Sequence, residues 1–256
     1  MRVVINSTGR ADVLATKTLP FLRSHGIEPE VWVADEQEQL RYAAAIEDVR
    51  IYVAPHDPTD KRLEVVGKEP VGLGLARNIV IQRARPGEQL VFIDDDLTGV
   101  SYAIGPKEVR PVDDLGRLFR TMFRDAEASS ATLWGIYPVA NPYFMKARVR
   151  TDLTYICGGL FGVIVTGKPH ELVTLDDKED FERSIRHYLA DGHVVRNERY
   201  CIGTTGYTGA GGMQLSRTPL RVRAAAEWLV ARYPGLCTLN TSKKSGWTEV
   251  RLKDRR

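Results

Sequence analysis

Short apolar runs alternate with amphipathic stretches through the first hundred residues, and each boundary carries a turn or capping signal. Arg2-Val3-Val4-Ile5-Asn6 predicts a strand, closed by the turn Ser7-Thr8-Gly9-Arg10, and residues 12–25 predict a helix ended by Gly26. Glu30 to Ala34 predicts a second strand, stopped at Asp35 and Glu36, before a helical stretch over 36–46. A third strand, Arg50 to Ala54, halts at Pro55, and residues 56–70 predict a polar loop. Val71 to Asn78 then opens a helix that runs to about Arg85. The next run, Leu90-Val91-Phe92-Ile93, is apolar throughout, as a strand buried on both faces must be, and it breaks off in Asp94-Asp95-Asp96. Strands alternating with helices imply an α/β class with a mainly parallel sheet, whose ligands gather at the carboxyl ends of the strands. The Ser7–Arg10 turn, Asp35 and the three aspartates all fall at such ends.

Beyond residue 97 the pattern changes. Residues 113–128 predict the clearest amphipathic helix, with Leu115, Leu118, Phe119, Met122, Phe123 and Ala126 on the inward face. Two strand-like runs follow, Thr132 to Val139 and Tyr155 to Val165, and the second carries Gly158-Gly159. Glycine there lets another backbone or a ligand approach closely. Asp176 to Asp180 leads into a helix with Phe181, Ile185, Tyr188 and Leu189 inward. Residues 203–212 hold five glycines and predict a flexible loop. A helix over 220–232, a basic loop at Ser242 to Ser245 and a short strand from Trp247 to Leu252 close the chain.

Composition narrows the classes. With 256 residues, 43% hydrophobic and 27% charged, the chain has the make-up of a soluble α/β domain with room for an appendage. No apolar run approaches the roughly 18 residues of a membrane span, so no membrane partner is expected. Cys157, Cys201 and Cys237 are odd in number and far apart, fitting neither a disulfide framework nor a zinc spacing; a reducing, cytoplasmic setting is expected. The net charge of +3 hides an asymmetry: residues 217–256 carry ten basic against three acidic side chains, while the preceding 216 residues carry −4. A basic end on an acidic body suits a polyanionic partner, or a solvated surface.

Three adjacent aspartates repel one another, and a divalent cation bound through oxygen is the commonest counter-charge; a solvated acidic turn is the plainer alternative. If Asp94 and Asp96 hold Mn²⁺ or Mg²⁺ on a nucleotide diphosphate, Arg77 is a second cation for that group, and the helix start at Gly72 to Gly74 offers amide donors. Those glycines lack both the Walker lysine and the dinucleotide-binding spacing. Asp180 or Glu179, at a helix start after the glycine-bearing strand, is placed for a general base, though acids there also suit the helix dipole. The five histidines, His25, His56, His170, His187 and His193, show no metal spacing and read as surface residues. No Gly-x-Ser-x-Gly motif is present, and Cys157 has no recognisable partner for nucleophilic hydrolysis.

The order of these motifs resembles that of GT-A glycosyltransferases over roughly residues 1–200. Thr8, Gly9 and Arg10 match the first donor loop, Asp35 the acid after the second strand, and Arg77-Asn78 the helix before the Asp-x-Asp motif. Asp94 and Asp96 match that motif itself, Gly158-Gly159 the acceptor strand and Glu179-Asp180 the catalytic pair. More narrowly, Val91 to Asp96, Glu179-Asp180-Phe181 and the glycine-rich loop before a basic end resemble the TET-associated glycosyltransferases of bacteriophages. The resemblance implies a GT-A-like, Rossmann-type sheet flanked by helices over 1–216, with a nucleotide-sugar half at 1–100 and an acceptor half at 101–216. A basic extension at 217–256 packs on it. It also implies transfer from a UDP-sugar, UDP-glucose or UDP-N-acetylglucosamine, to 5-hydroxymethylcytosine in DNA within a host bacterial cytoplasm. Asp180 would act as base in an inverting displacement. Lys146, Arg148, Arg150, Arg221, Lys243 and Lys244 would then hold DNA phosphates, and Trp247 or Tyr143 would stack on a base. No histidine follows the glycine-rich loop to serve as a third metal ligand. Two other readings stay open: a transferase acting on another acceptor, and a nuclease-like protein using the aspartates for metals.

Overall fold

The computed structural model describes residues 1–54, 72–204, 217–241 and 246–254. Its backbone is an α/β fold around a ten-stranded sheet, with a separate two-stranded sheet near the C-terminus. The strands are β1 (Arg2–Asn6), β2 (Glu30–Val33), β3 (Arg50–Val53), β4 (Gln89–Ile93), β5 (Leu97–Gly105), β6 (Glu108–Pro111), β7 (Leu133–Tyr137), β8 (Val149–Arg150), β9 (Leu160–Ile164), β10 (Val195–Thr204), β11 (Cys237–Asn240) and β12 (Glu249–Leu252). The helices are α1 (Ala11–Thr16), α2 (Thr18–Ser24), α3 (Glu36–Ala45), α4 (Leu73–Arg83), α5 (Leu115–Ala128), α6 (Glu179–Asp191) and α7 (Pro219–Arg232), with a 3₁₀ turn at Pro169–Glu171.

The order across the large sheet is β3-β2-β1-β4-β9-β7-β10-β5-β6, with β8 paired to β10. β3, β2, β1 and β4 are mutually parallel; β9 runs against both β4 and β7, so β7 points the same way as β4. β5 and β8 are the other strands that run against this direction. The register places Leu90 and Leu133 opposite the same Val163, so the chain leaving β7 emerges at the edge where β4 delivers Asp94.

Burial on both faces follows from the alternation of side chains along a strand. Val3, Ile5, Val91 and Ile93 enter one core with Leu14, Leu22, Tyr42, Phe119 and Phe123 from the helices on that side. Val4, Leu90 and Phe92 enter a second core with Val80, Ile81 and Phe161 on the other side. A third cluster packs Ala225, Ala226 and Leu229 of α7, with Cys237 and Val250 of the small sheet, on Phe181 and Ile185 of α6.

Helix α5 buries the six residues that the periodicity selects. Four expectations change. The helix over 12–25 is two helices, broken at Lys17, where ψ of −83° departs from helical geometry. The strand foreseen over 155–165 shortens to β9; the Ile156 amide donates to Ser184 of α6 and the Tyr155 carbonyl accepts from the Arg196 side chain, so neither backbone group joins the ladder there. β5, β6 and β10 arise where no strand is evident from local pattern. Finally, Leu189 is 57% exposed, since the last turn of α6 overhangs an open cleft; Phe181, Glu182, Ser184, Ile185 and His187 form the buried face instead. The polar loop at 56–70 and most of the glycine-rich loop, from 205 on, lie outside the described residues. Among the described residues, no helix is long and apolar enough to cross a membrane.

Candidate active site

Arg77 is the centre of the site. It projects from α4, is 1% exposed, and donates to the Asp94 carboxylate (2.7 Å), the Gly158 carbonyl (2.7 Å) and Glu179 (2.5 Å). Glu179 also bonds Arg183, one helical turn further along α6. A buried guanidinium with carboxylate partners is held in its charged form. Burial alone would lower the pKa of Arg77, but Glu179, Asp94 and Asp180 outweigh it and raise it. The strand end, the glycine-bearing segment and the start of α6 are thereby tied to one side chain.

The three aspartates divide their roles. Asp94 faces Arg77 and keeps 34% of its side chain open. Its pKa is pushed up to about 7, chiefly by burial, with Arg77 opposing and Asp95, Asp96 and Glu179 adding to the rise. Asp95 turns towards the first loop, where Ser7 donates to it (2.5 Å) and Arg10 pairs with it (2.9 Å). Arg10 also reaches Asp96 at 3.2 Å. Ser7 in turn bonds the Tyr42 hydroxyl (2.7 Å), which accepts from the Arg10 amide.

Asp180 lies against the glycine pair Gly158-Gly159. It accepts from the Tyr155 hydroxyl and is half-buried. The absence of side chains at Gly158 and Gly159 lets the surrounding groups pack closely, since a Cβ on Gly159 would meet Ile202 at 2.7 Å. A Cβ on Gly159 would stand 3.6 Å from Asp94 Oδ2, and one on Gly158 would stand 3.7 Å from the Asp180 Cβ and 2.9 Å from the Arg77 guanidinium. Lys178, in a left-handed conformation (φ 65°), makes the turn into α6, and such a residue is held only where surrounding contacts overdetermine it. Its ammonium is anchored on Glu249 at 3.0 Å. Beside Gly158, burial first, then Asp180, push the Cys157 thiol up to about 12.

The residues singled out in the sequence are distributed as follows. Arg77, Asp94, Gly158, Gly159, Glu179 and Asp180 come together, and Arg10 joins the cluster through Asp95 and Asp96. Thr8 and Gly9 are exposed on the adjoining loop, where the Gly9 amide donates to Glu38. Asp35 caps α3 by accepting from the Glu38 amide (2.8 Å). At the helix start at Gly72 to Gly74, Asp176 packs against both glycines and accepts from the Leu75 amide. Ser7 joins the site from the Ser7–Arg10 turn, while Tyr155 and Arg183 belong to it and carry no motif. The one signal for Arg183 is its i, i+4 spacing from Glu179.

The basic residues are placed less uniformly. Lys146 and Arg148 are exposed beside the exposed aromatic pair Tyr143 and Phe144, on the loop that leaves β7 at the Asp94 edge. Arg148 and Arg150 are partly engaged by Glu198, and Arg150 also by Asp152. Arg221 pairs with the buried Asp177 at 3.2 Å, as does Arg217 at 3.1 Å. Trp247 is half-buried, and Lys243 and Lys244 lie outside the described residues. The histidines correct the surface reading: His187 is fully buried on α6 and His170 half-buried beside it, while His56 lies outside the described residues.

The acidic cluster suits a divalent cation in charge. With all five ionised, Asp94, Asp95, Asp96, Glu179 and Asp180 meet three guanidiniums, those of Arg10, Arg77 and Arg183, which leaves two negative charges. A hard cation with oxygen ligands and phosphate partners matches such a donor set.

No protein-family model and no curated protein matches the sequence. Among solved structures, the chain is similar to galactosyltransferase LgtC in complex with donor and acceptor sugar analogs. That likeness has a TM-score of 0.43 and 11% identity, over 77% of this chain and 73% of that one. An active-site mutant of LgtC gives a TM-score of 0.37 and 13% identity over 65% and 58% of the two chains. Both likenesses are loose, and the chemistry of the site is carried by this chain's own residues.

Proposed function

We propose that the protein is a metal-dependent GT-A glycosyltransferase that moves a sugar from a UDP-sugar to the hydroxymethyl group of 5-hydroxymethylcytosine in DNA. The observation that carries this reading is the convergence of Asp94 and Asp180 on the glycine pair Gly158-Gly159, with Arg77 bonded to Asp94, to the Gly158 carbonyl and to Glu179. The cluster as a whole has the excess negative charge that a divalent cation needs, and Asp180 supplies a carboxylate beside the same glycine pair.

In this reading Asp94 and Asp96 hold Mn²⁺ or Mg²⁺, which supplies charge neutralisation at the leaving diphosphate. Asp180 accepts the proton of the acceptor hydroxyl, and the Tyr155 hydroxyl fixes the rotamer of that carboxylate. Glu179, buried between Arg77 and Arg183, holds the guanidiniums in place and leaves the proton transfer to its neighbour. Ser7 and Arg10 keep Asp95 turned aside, so that Asp94 and Asp96 flank the donor side. The exposed Tyr143, Phe144, Lys146 and Arg148, on a loop at the same sheet edge, suit a strand of DNA through stacking and phosphate contacts.

The test is incubation of the protein with hydroxymethylated DNA, Mn²⁺ and a panel of UDP-sugars, followed by nucleoside mass spectrometry. A hexose- or N-acetylhexosamine-bearing nucleoside is expected with one donor, and Asp180→Asn should slow its formation by about 10²–10⁴-fold while leaving the fold intact. Unmodified nucleosides under every donor would refute the DNA acceptor. Thermal stabilisation by UDP and Mn²⁺ that survives in Asp94→Ala and Asp96→Ala would refute the donor site.

A further inference from the structure

At the far end of α6 from Asp180 lies a second cluster of metal-ligating side chains. His187 and Asp191 are four residues apart on α6 and so share one face, and the 3₁₀ turn Pro169–Glu171 brings His170 against them. One ligand atom from each of the three lies within 4.8 Å of the other two, and no other such trio occurs among the described residues. His170 Nε2 is 4.0 Å from the Asp191 carboxylate, and the two imidazoles stand perpendicular with centroids 5.0 Å apart.

The hydrogen bonding leaves this cluster incomplete in one specific way. His187 Nε2 and His170 Nε2 are both buried and have no hydrogen-bond partner. Buried polar atoms are nearly always paired, so two orphans in one place point to something that accepts their lone pairs. Thr132, at the start of β7, decides which ring nitrogen of His187 carries the proton. Its hydroxyl donates to Asp191 and sits 2.8 Å from His187 Nδ1. A hydroxyl has one proton, so Nδ1 must be the donor in that contact and Nε2 is left with a bare lone pair. This is the arrangement found around metal-bound histidine, where a second group fixes the tautomer by accepting from the other nitrogen.

The charges nearby are already spent. Arg186 pairs with Glu182 and donates to the carbonyls of His170 and Pro169, and Arg183 is held by Glu179. An open cleft of about 480 Å³, lined in part by His170, Arg186 and Tyr233, leaves room for water on the His170 side of the cluster.

We infer that His170, His187 and Asp191 form a site for a borderline-soft divalent cation of the Zn²⁺ class. Two neutral imidazoles and one carboxylate supply three ligands, and water from the cleft completes a tetrahedron. Ligand atoms around such an ion lie about 3.3 Å apart, so the trio needs to contract by up to about 1.5 Å. The ion would pin the end of α6 to the start of β7 and to the 3₁₀ turn. This inference is independent of the glycosyltransferase reading.

Chelator-stripped full-length protein carrying Asp94→Asn and Asp96→Asn, which removes the donor-side ligands, is titrated with Zn²⁺ and, separately, with Co²⁺. One equivalent of Zn²⁺ should bind and raise Tm, and Co²⁺ should develop the visible absorption of a tetrahedral nitrogen–oxygen site. His170→Ala, on a half-exposed turn, should abolish both signals, and Thr132→Val should weaken Zn²⁺ by about 10–100-fold. Failure of the Asp94→Asn/Asp96→Asn protein to bind Zn²⁺, or equal binding by His170→Ala, would overturn the inference. The Co²⁺ spectrum of the unsubstituted protein decides the matter should any variant fold poorly: a purely octahedral spectrum also overturns it.

Discussion

Replacing Arg77 by methionine, which matches its length but not its charge, tests the architecture of the candidate site most directly. The guanidinium is 1% exposed and satisfies two carboxylates and one carbonyl. Its removal leaves Glu179 with Arg183 alone, strands the Gly158 carbonyl, and removes the group that opposes the rise in the Asp94 pKa. Asp94 can escape by taking up a proton near neutral pH, whereas the Gly158 carbonyl cannot. Breaking a buried pair by removing one partner costs about 3–5 kcal/mol, and an orphaned buried acceptor about 1–3 kcal/mol within that total. For a chain of this size each kcal/mol lowers Tm by roughly 2–4 °C, so a fall of about 6–20 °C is expected in calorimetry or thermal circular dichroism. Arg77→Lys keeps the charge but loses the planar fork, and should fall between wild type and Arg77→Met. In the double variant Arg77→Met/Glu179→Gln the losses should not add, with a coupling of about 0.5–3 kcal/mol. A Tm within about 2 °C of wild type for Arg77→Met, or strict additivity in the cycle, would refute the bracing role.

Two further outcomes follow from neighbouring residues. Burial pushes the carboxyl of Asp176 up to about 6, with Arg221 opposing and Asp177 adding to the rise. The native state therefore holds this proton to higher pH than the unfolded chain does, and stability should fall as pH rises from about 4 to about 6, by roughly 3 kcal/mol. Asp176→Asn should flatten that slope in urea denaturation; an unchanged slope contradicts the assignment. Gly158→Ala places a Cβ 2.9 Å from the Arg77 guanidinium and 3.0 Å from Glu179, groups that are pinned and cannot yield. A loss of about 1–3 kcal/mol is expected, and a neutral effect in chemical denaturation would refute the close packing of Arg77 and Glu179 on Gly158.

What local pattern determines here is the sequence of buried elements. The apolar run Leu90 to Ile93 is a strand covered on both faces, and the stripe Leu115 to Ala126 is the inward face of a helix. Both follow from the periods of strand and helix, which need only neighbours within a turn or two. The same local logic places Asp94 to Asp96 at a strand end and Glu179-Asp180 at a helix start. β5 and β10 are different: they hold their shape by pairing with each other across about a hundred residues of sequence, and neither carries a clean alternation. The division of labour within each acidic motif is likewise tertiary. That Asp94 faces Arg77 while Asp95 faces Ser7, and that Glu179 is held by Arg77 while Asp180 meets Tyr155, depends on side chains 17 to 102 residues apart. The histidine trio makes the same point. His170 and His187 show no ligand spacing because their convergence is set by how a 3₁₀ turn packs on a helix end, a contact that only the folded chain creates.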